Sequence, residues 1–304
     1  MNQNVKRVLK TAGVVLGVAI GGGGAFFGVQ VSRFDASMDR AYDVPVPTVE
    51  RSTDAAVLAR GKHLVESVAP CASKACHGAD LGGGEPIDIG PIGTLVGPNI
   101  TPAGVAVAYS DGEIARLVKH GIKKDGRTVR FMPVQDFTWL PDSDVTAIVS
   151  HLRTVAPVDR PNAATVIKPL GKMLDRQDKF IIDVARRIDH AKIEPVPTKG
   201  PTAEYGAFLA RLCHGCHGEH LSGGPIPGAP SSIPIPLNLT PDPSGLKDWS
   251  FDDFDRLMRT AVRKSGKPLN PFMPVESWRN FDDTEMHALW AHLRTLPPTA
   301  FGNR

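Results

Sequence analysis

The sequence is poor in cysteine and in aromatic residues, and its charges nearly balance. Only 4 of its 304 residues are cysteine, 6% are aromatic, and the net charge is +3. All four cysteines fall in two short clusters, so none is left for disulfides elsewhere, which excludes a disulfide-stabilised scaffold. With so few large side chains, a small core needs another source of buried apolar area. No segment carries the basic stripe that binding to a phosphate backbone requires, so no nucleic-acid partner is expected.

The sequence also lacks any sustained alternation of apolar and polar residues, which argues against a sheet and predicts an all-α fold. A chain of 304 residues suits two domains of about 100–150 residues with additional segments. We therefore divide it into an N-terminal anchor (1–35), a linker (36–50), a first domain (51–157), an interdomain segment (158–200) and a second domain (201–304).

A long apolar run lies near the N-terminus. Between residues 11 and 31 the only strongly polar side chain is Gln30, and 21 helical residues span about 30 Å, the thickness of a hydrocarbon core. The basic residues Lys6, Arg7 and Lys10 precede the run. The positive-inside rule then predicts a single-pass helix in a bacterial inner membrane, with both domains on the periplasmic side. A cleaved signal peptide is the alternative, but the run exceeds a typical h-region and no clean small-x-small site follows it.

The cysteines belong to two similar motifs, each ending in histidine. The pattern Cys-x-x-Cys-His is typical of c-type haem attachment, because the thiols reach the two porphyrin vinyl groups while the imidazole meets the iron. One motif matches it fully, whereas the other has four residues between its cysteines, so the extra pair must bulge out as a loop. The sequence thus predicts two covalently bound haem c groups, held by Cys71, Cys76 and His77 and by Cys213, Cys216 and His217.

The motifs belong to a repeat with a period of 139 to 141 residues. A tetrahedral zinc site made by two pairs of thiols is the alternative interpretation of the cysteines, but zinc would not need the rest of the repeat. The equivalent stretches are 98–102 and 237–241, 109–110 and 249–250, 131–134 and 272–275, and 151–154 and 292–295.

Of the seven methionines, only Met132 and Met273 occupy equivalent places in both copies. They follow their histidines by 55 and 56 residues, and a proline follows each of them. A thioether held in such a loop is the expected second axial ligand of a haem, although a core methionine that fills a gap remains the alternative for either one. Histidine could compete for the iron, the candidates being His120, His151, His220, His287 and His292.

Helical patterns surround these motifs. Opening helices are predicted over 55–67 and 202–212, and closing helices over 142–155 and 282–296. Gly61 and Gly206 interrupt the opening helices, where a small residue would let the closing helix cross closely. In the interdomain segment, apolar residues between 170 and 188 suit one face of an amphipathic helix with a basic polar side. That helix would pack across both domains or meet a partner or lipid surface.

These motifs together resemble the class I cytochrome c family. Over nearly all of 51–304 the chain is similar to the cytochrome subunits of membrane-bound alcohol and aldehyde dehydrogenases, through the Asn-x-Thr-Pro turns at Asn99 and Asn238, the Met-Pro loops and the Leu-Arg-Thr endings. Those proteins typically carry three modules, whereas this chain has two. The resemblance implies thioether links from Cys71, Cys76, Cys213 and Cys216, proximal His77 and His217, and distal Met132 and Met273.

A haem iron with both axial positions filled has no vacancy for substrate, so its expected chemistry is reversible one-electron exchange. We therefore expect a membrane-anchored dihaem electron carrier of a respiratory or photosynthetic chain, free or fixed in a complex, rather than an enzyme. The expected donor is a quinol-linked complex or a dehydrogenase, and the acceptor an oxidase or another cytochrome. A dihaem peroxidase is the alternative, but it needs one haem with an open coordination site. A structural subunit docked through its membrane helix is a further alternative.

Overall fold

A computed structural model describes residues 3–192, 197–227, 229 and 233–304, and within them it describes no side chains for 4–6, 8–9 and 12–20. Part of the proline-rich end predicted for the interdomain segment, 195–196, lies outside the described residues. Helices are the main elements: α1 (Gln3–Asp39), α2 (Ala55–Glu66), α3 (Asp111–His120), α4 (Asp142–Leu152), α5 (Pro169–Arg176), α6 (Ala203–His217), α7 (Phe251–Thr260), α8 (Val275–Trp278) and α9 (Asp283–Thr295).

The helices α2, α3 and α4 of the first domain correspond to α6, α7 and α9 of the second. In each domain the opening helix crosses the closing one at a glycine. A Cβ atom on Gly61 would lie 2.0 Å from the carbonyl oxygen of Ala147, and one on Gly206 would lie 1.9 Å from that of Ala288. Backbone therefore approaches backbone where no side chain fits, which confirms the predicted close crossing in both domains.

The middle helices start at matching caps. The Ser110 hydroxyl accepts from the amide of Glu113, whose carboxylate accepts from the amide of Ser110, and Ser250 forms the same capping box with Asp253. The arginine of each Leu-Arg-Thr ending donates to backbone carbonyls just before these helices. Arg153 reaches Tyr109 at 2.5 Å, and its counterpart Arg294 reaches Leu246 at 3.0 Å. The repeated motifs therefore join each closing helix to the start of the middle helix.

The prediction of an all-α fold is wrong in one place, because the first domain contains a small antiparallel sheet. Its strands are β1 (Ile87–Asp88), β2 (Gly93–Leu95) and β3 (Val166–Ile167), in the order β1-β2-β3. Ile87 lies opposite Leu95, and Gly93 lies opposite Ile167. Strands of two or three residues are too short for alternation to appear in the sequence.

The prediction of a membrane-spanning helix over 11–31 is wrong, and the inner-membrane localisation built on it falls with it. In the part of the chain that the structure describes, no helix is both long enough and apolar enough to cross a lipid bilayer. The described portion of α1 begins with the four glycines 21–24, which add little hydrophobicity, and it continues into the charged residues Arg33, Asp35 and Asp39. The side chain of Lys6 and those of 12–20, which also entered that prediction, lie outside the described residues.

The end of α1 packs on protein. Phe34 and Met38 are 3% and 8% exposed and form a small core with Ile182 of the interdomain segment. Lys172 of α5 pairs with Asp35 at 2.7 Å. The apolar residues at this end of the helix therefore serve contacts within the chain.

The predicted interdomain helix is shorter than its apolar pattern indicates. Helix α5 ends at Arg176, because the buried Asp175 carboxylate accepts from the backbone amides of Ile182 and Asp183 and turns the chain back. The basic side chains of the segment are paired with its own carboxylates: Arg186 and Arg187 both donate to Asp178. Ala185 donates to Thr128 at 3.0 Å, so the segment packs on the first domain.

A buried carboxylate joins the two domains. Glu285, at the start of α9, is fully buried and accepts from His63 Nε2 of α2 at 2.8 Å and from Lys199 Nζ at 3.0 Å. Beside it, the rings of Trp139 and Phe208 meet at 3.8 Å between centroids. Apolar residues of both domains form one continuous core cluster, so the domains are packed as one body.

We expect Gly206→Ala to destabilise the second domain. The new Cβ would overlap the Ala288 carbonyl, so α6 and α9 must separate, which we expect to cost about 1–3 kcal/mol of the free energy of unfolding. Urea unfolding measures the difference. Gly28→Ala is the control, because that helical position has open space around it. Equal stability of the two variants would contradict the close crossing.

We expect Glu285→Gln to remove a pH-dependent link between the domains. Burial alone would raise the pKa of Glu285, but the hydrogen bond and charge of His63 and the charge of Lys199 outweigh it and lower the pKa from 4.5 to about 2. Because the folded-state pKa lies below the ordinary value, the stability that Glu285 contributes is complete above about pH 5 and is lost as the pH falls toward 2.

The variant should therefore unfold more easily at pH 7, by about 3 kcal/mol, and lose less stability than the wild type between pH 5 and 3. Urea unfolding at both pH values measures this. Glu66→Gln, which removes an exposed carboxylate 3.9 Å from Lys62, should change little. An unaltered pH profile in the Glu285 variant would show that the carboxylate is not held as described.

Candidate cofactor sites

Each predicted proximal histidine is oriented by a backbone carbonyl. His77 Nδ1 lies 2.8 Å from the oxygen of Pro98, and His217 Nδ1 lies 2.7 Å from that of Leu237. A carbonyl oxygen only accepts, so the proton sits on Nδ1 and the lone pair on Nε2 is left free. This is the tautomer that binds a metal through Nε2, and the hydrogen bond makes the nitrogen a better ligand.

The Asn-x-Thr-Pro turns hold those carbonyls in place. Asn99, next to Pro98, accepts through Oδ1 from the amide and the hydroxyl of Thr101 at 2.9 and 2.7 Å, and donates through Nδ2 to Val158 at 2.7 Å. The turn is therefore tied to the segment that follows the first domain. Asn238 makes the equivalent bonds with Thr240 and Thr299.

The two attachment motifs differ in backbone conformation. Helix α6 continues through Cys213 to His217, so the histidine amide bonds to the first cysteine's carbonyl within the helix. Helix α2 ends at Glu66, before its motif, yet the amide of His77 still donates to the carbonyl of Cys71 at 3.0 Å. The two additional residues lie in turns between the cysteines, so the same link between cysteine and histidine occurs in both copies.

The four thiols are free, and burial keeps them uncharged. Burial raises the pKa of Cys71 and of Cys213 to about 12 each, and it raises the pKa values of Cys76 and Cys216 as well. At neutral pH these are therefore thiols, which suits addition to vinyl groups better than the thiolates of a preformed zinc site.

The structure does not support the zinc alternative. Among the described residues, the one group of three potential ligands whose atoms lie within 4.8 Å of one another is His63, Asp282 and Glu285, and it contains no cysteine. Lys199 already donates to the carboxylates of Asp282 and Glu285, so two cationic partners, Lys199 and His63, fill that group. Its role is structural.

The second domain contains an apolar cavity of about 510 Å³, measured out to its mouth. Pockets of roughly 300–1,000 Å³ accommodate cofactors. Cys213, His217 and Met273 all line this cavity, so the structure brings three of the four predicted residues of the second site together, while Cys216 is exposed beside them. The remaining lining is apolar: Leu209, Leu212, Leu239, Leu246, Phe254, Leu257, Met258, Trp278, Phe281, Leu289 and Leu293.

These features fit a covalently attached haem c. The cavity offers an apolar wall on every side, with an imidazole and a thioether as its potential iron ligands. The indole nitrogen of Trp278 is buried and has no hydrogen-bond partner among the described residues, a donor that an acidic group of the cofactor could satisfy. Burial also lowers the pKa of His217, against a smaller raising effect of its carbonyl partner, so its imidazole is neutral and able to bind iron.

The first domain holds its site with a close backbone contact. A Cβ on Gly97 would lie 1.5 Å from the carbonyl oxygen of Cys76, and this closeness brings the next residue, Pro98, to His77. Cys71 and Met132 both pack against the same core cluster and are half-buried, as is Cys76. Burial lowers the pKa of His77 too. The described contacts do not include one between Met132 and His77.

Competing histidines have other partners. His120 Nδ1 lies 3.2 Å from Nδ1 of His190, and His287 Nδ1 donates to its own helix at Asp283. Burial lowers the pKa values of His151 and His292. These contacts give no support to a second histidine on either iron.

The structure adds one residue that the sequence did not indicate. Asp136 follows the first Met-Pro loop, and its charge acts on Cys213 and Cys216 of the other domain. Burial raises the pKa of Asp136 to about 7. In the opposite sense, Glu276 after the second loop accepts from the amide of Lys74 at 3.4 Å. Each methionine loop therefore lies beside the other domain's attachment motif, which no local pattern could reveal.

Comparison with known proteins confirms the resemblance found in the motifs. The chain is similar to the cytochrome c subunit of a quinone alcohol dehydrogenase from Gluconacetobacter polyoxogenes, with 28% identity over 275 residues that cover 81% of this chain and 57% of the relative. It is also similar to the gluconate 2-dehydrogenase cytochrome c subunit of Pantoea cypripedii, with 36% identity over 107 residues covering 33% of this chain and 24% of the relative.

A third relative is the fructose dehydrogenase cytochrome subunit of Gluconobacter japonicus, with 28% identity over 112 residues covering 34% of this chain and 23% of the relative. The chain spans little more than half the length of the relative that it matches over most of its own length. No protein-family model matches it.

We expect Gly97→Ala to disrupt the first site alone. The methyl group would push Pro98 away from His77, so the first domain should lose ordered haem binding while the second retains it. Haem per chain, from the pyridine haemochrome spectrum and the intact mass, measures the effect. Gly200→Ala is the control, since its Cβ would meet its nearest neighbour at 3.6 Å. Unchanged haem content and an unchanged spectrum in the Gly97 variant would contradict this account.

Proposed function

We propose that this chain is a dihaem cytochrome c that transfers single electrons as a subunit of a larger oxidoreductase complex. The observation that carries the proposal is the repeated histidine geometry. In both domains a histidine that follows two cysteines donates Nδ1–H to a backbone carbonyl and keeps Nε2 free. A Met-Pro loop follows at the same distance in each copy. Thioether links from the four cysteines and axial pairs His77 with Met132 and His217 with Met273 complete the proposed sites.

The relatives support the same class of function. They are cytochrome c subunits of alcohol, gluconate and fructose dehydrogenases. We infer that a dehydrogenase subunit is the electron donor of this chain as well, and that a further redox centre accepts the electron. The substrate of that dehydrogenase is not specified by any residue of the described sites.

Haem c would supply reversible one-electron exchange between ferric and ferrous iron. The protein's own residues would bind, orient and shield it. Pro98 and Leu237 fix the imidazole tautomer through their carbonyls, and the apolar wall around Met273 excludes water. A thioether ligand and an apolar pocket both disfavour the extra positive charge of the ferric state, so we expect high reduction potentials.

The dihaem peroxidase is the weaker alternative. A peroxidase needs one iron with an open coordination site, whereas both domains carry a Met-Pro loop packed against the core. A ferric spectrum with a high-spin fraction, together with peroxide turnover, would favour it. The role of fixed subunit is compatible with electron transfer and accords with the names of the relatives.

We expect the purified chain to carry the mass of two haems. Met132→Ala and Met273→Ala should each remove about half of the far-red charge-transfer band that reports sulfur bonding to ferric iron, and each should lower the reduction potential of one centre. Absorption spectroscopy and redox titration measure both effects. Met286→Leu is the control, because that methionine is fully buried in the core away from the cavity lining.

A colourless protein would refute the proposed function. A charge-transfer band that survives both alanine substitutions would refute the methionine ligands.

A further inference from the structure

Each domain presents a basic hairpin just before its methionine loop. Lys123 donates to Arg127 in the first domain as Arg263 does to Lys267 in the second, at 2.8 and 2.9 Å, and the glycines between them have φ near 80° in both copies. A phenylalanine precedes each methionine. We call these surfaces the first basic face (Lys123, Lys124, Arg127, Phe131) and the second basic face (Arg263, Lys264, Lys267, Phe272).

The chain itself covers the first basic face. Arg127 pairs with Asp39 at the end of α1 at 3.0 Å, and the chain after α1 continues as a backbone bridge along the hairpin, where the amide of Tyr42 donates to Gly126. The Phe131 ring stacks on Phe180 of the interdomain segment with 5.3 Å between centroids. The cover thus places a carboxylate on a guanidinium and an aromatic ring on a phenylalanine.

The second basic face has no such cover among the described residues. Phe272 is 48% exposed, and no carboxylate of the described chain pairs with Lys267 or Arg263. Nε of Arg263 is buried without a hydrogen-bond partner in that part of the chain. Ser265 stands where the first hairpin has Asp125, which pairs with Arg127 at 3.2 Å, so the second hairpin also lacks its internal acidic partner.

Nearby acidic groups do not neutralise the second face. Asp253 holds Lys264 at 2.8 Å, which leaves Arg263 and Lys267 as its unpaired cations. Glu276, beyond the loop, turns toward Lys74 of the first domain. Next to Met273, the second domain therefore exposes an apolar ring beside positive charge.

We propose that the second basic face is the docking surface for a redox partner protein that presents acidic residues around an apolar patch, while the first basic face is closed by the chain's own segments. The cover of the first face supplies the chemical template, because the two faces are copies of one another. This inference rests on the proposed function, since it concerns the route of an electron between the second haem and a partner. When one electron crosses, the haem iron and the partner's centre change oxidation state by one each, in opposite senses.

Anion binding to the full-length dihaem protein tests the docking surface directly. Hexacyanochromate(III) is a redox-inert paramagnetic anion that broadens the NMR signals of nearby amides. We expect broadening at 263–272 and much less at 123–131, where Asp39 and Phe180 occupy the equivalent face. The effect should weaken as ionic strength rises through the range in which surface charges are screened.

A matched pair of variants isolates the charge. Lys267→Glu should abolish the broadening at 263–272, whereas Lys179→Glu, the same charge change on the cover of the first face, should leave it intact. In a second readout, hexacyanoferrate(III) takes one electron from the reduced protein, giving hexacyanoferrate(II) and ferric haem. The Lys267 variant should react about threefold more slowly at low salt, with a flatter salt dependence, because attraction of the anion raises the encounter rate.

Three results would overturn the docking proposal. The first is equal broadening on both faces, or none at 263–272 in a protein that carries both haems. The second is a salt-sensitive dimer that Lys267→Glu abolishes, which would identify a second copy as the occupant. The third is binding to anionic phospholipid vesicles that the same substitution abolishes. A protein without haem would instead refute the proposed function, and the docking proposal with it.

Discussion

The donation of a histidine Nδ1–H to a backbone carbonyl is the interaction on which both sites depend. It chooses which nitrogen carries the proton and therefore which nitrogen faces the cavity. Much of the repeat serves to hold that carbonyl still. Asn99 and Thr101 tie the residue after Pro98 into a turn, and the link to Val158 extends the restraint to the end of the domain. The arginine of each closing helix fixes the next segment, so a single tautomer is supported by interactions spread over a whole domain.

Sequence patterns predicted the helices near the sites because each buries one face at helical spacing. Gly61 and Gly206 indicated the helix crossings, since only a missing side chain permits that approach. Helix ends were less predictable. Helix α6 runs on through its attachment motif while α2 stops short of the equivalent one, because two extra residues break the register that keeps the motif helical. Local composition does not reveal which copy keeps its helix.

Features that depend on distant partners could not be predicted. Glu285 appears in the sequence only as part of a helix cap, and its burial follows from His63, which lies 222 residues away in the chain. The apolar pattern between 170 and 188 indicated one long helix, but Asp175 binds two backbone amides beyond it and folds the segment back. The apolar run near the N-terminus was interpreted as a membrane span. The structure instead packs Phe34 and Met38 at the end of that helix on Ile182.

The reciprocal contacts between the domains bear on how the duplicated chain behaves as a whole. Trp139 packs on Phe208, Glu66 accepts from Asn280 through its backbone carbonyl, and the methionine loop of each half lies against the attachment motif of the other. Neither half therefore possesses a complete wall of its own. A half-chain would expose apolar surface that its twin normally covers, so the duplication has become a cooperative unit in which the two copies fold, and fail, together.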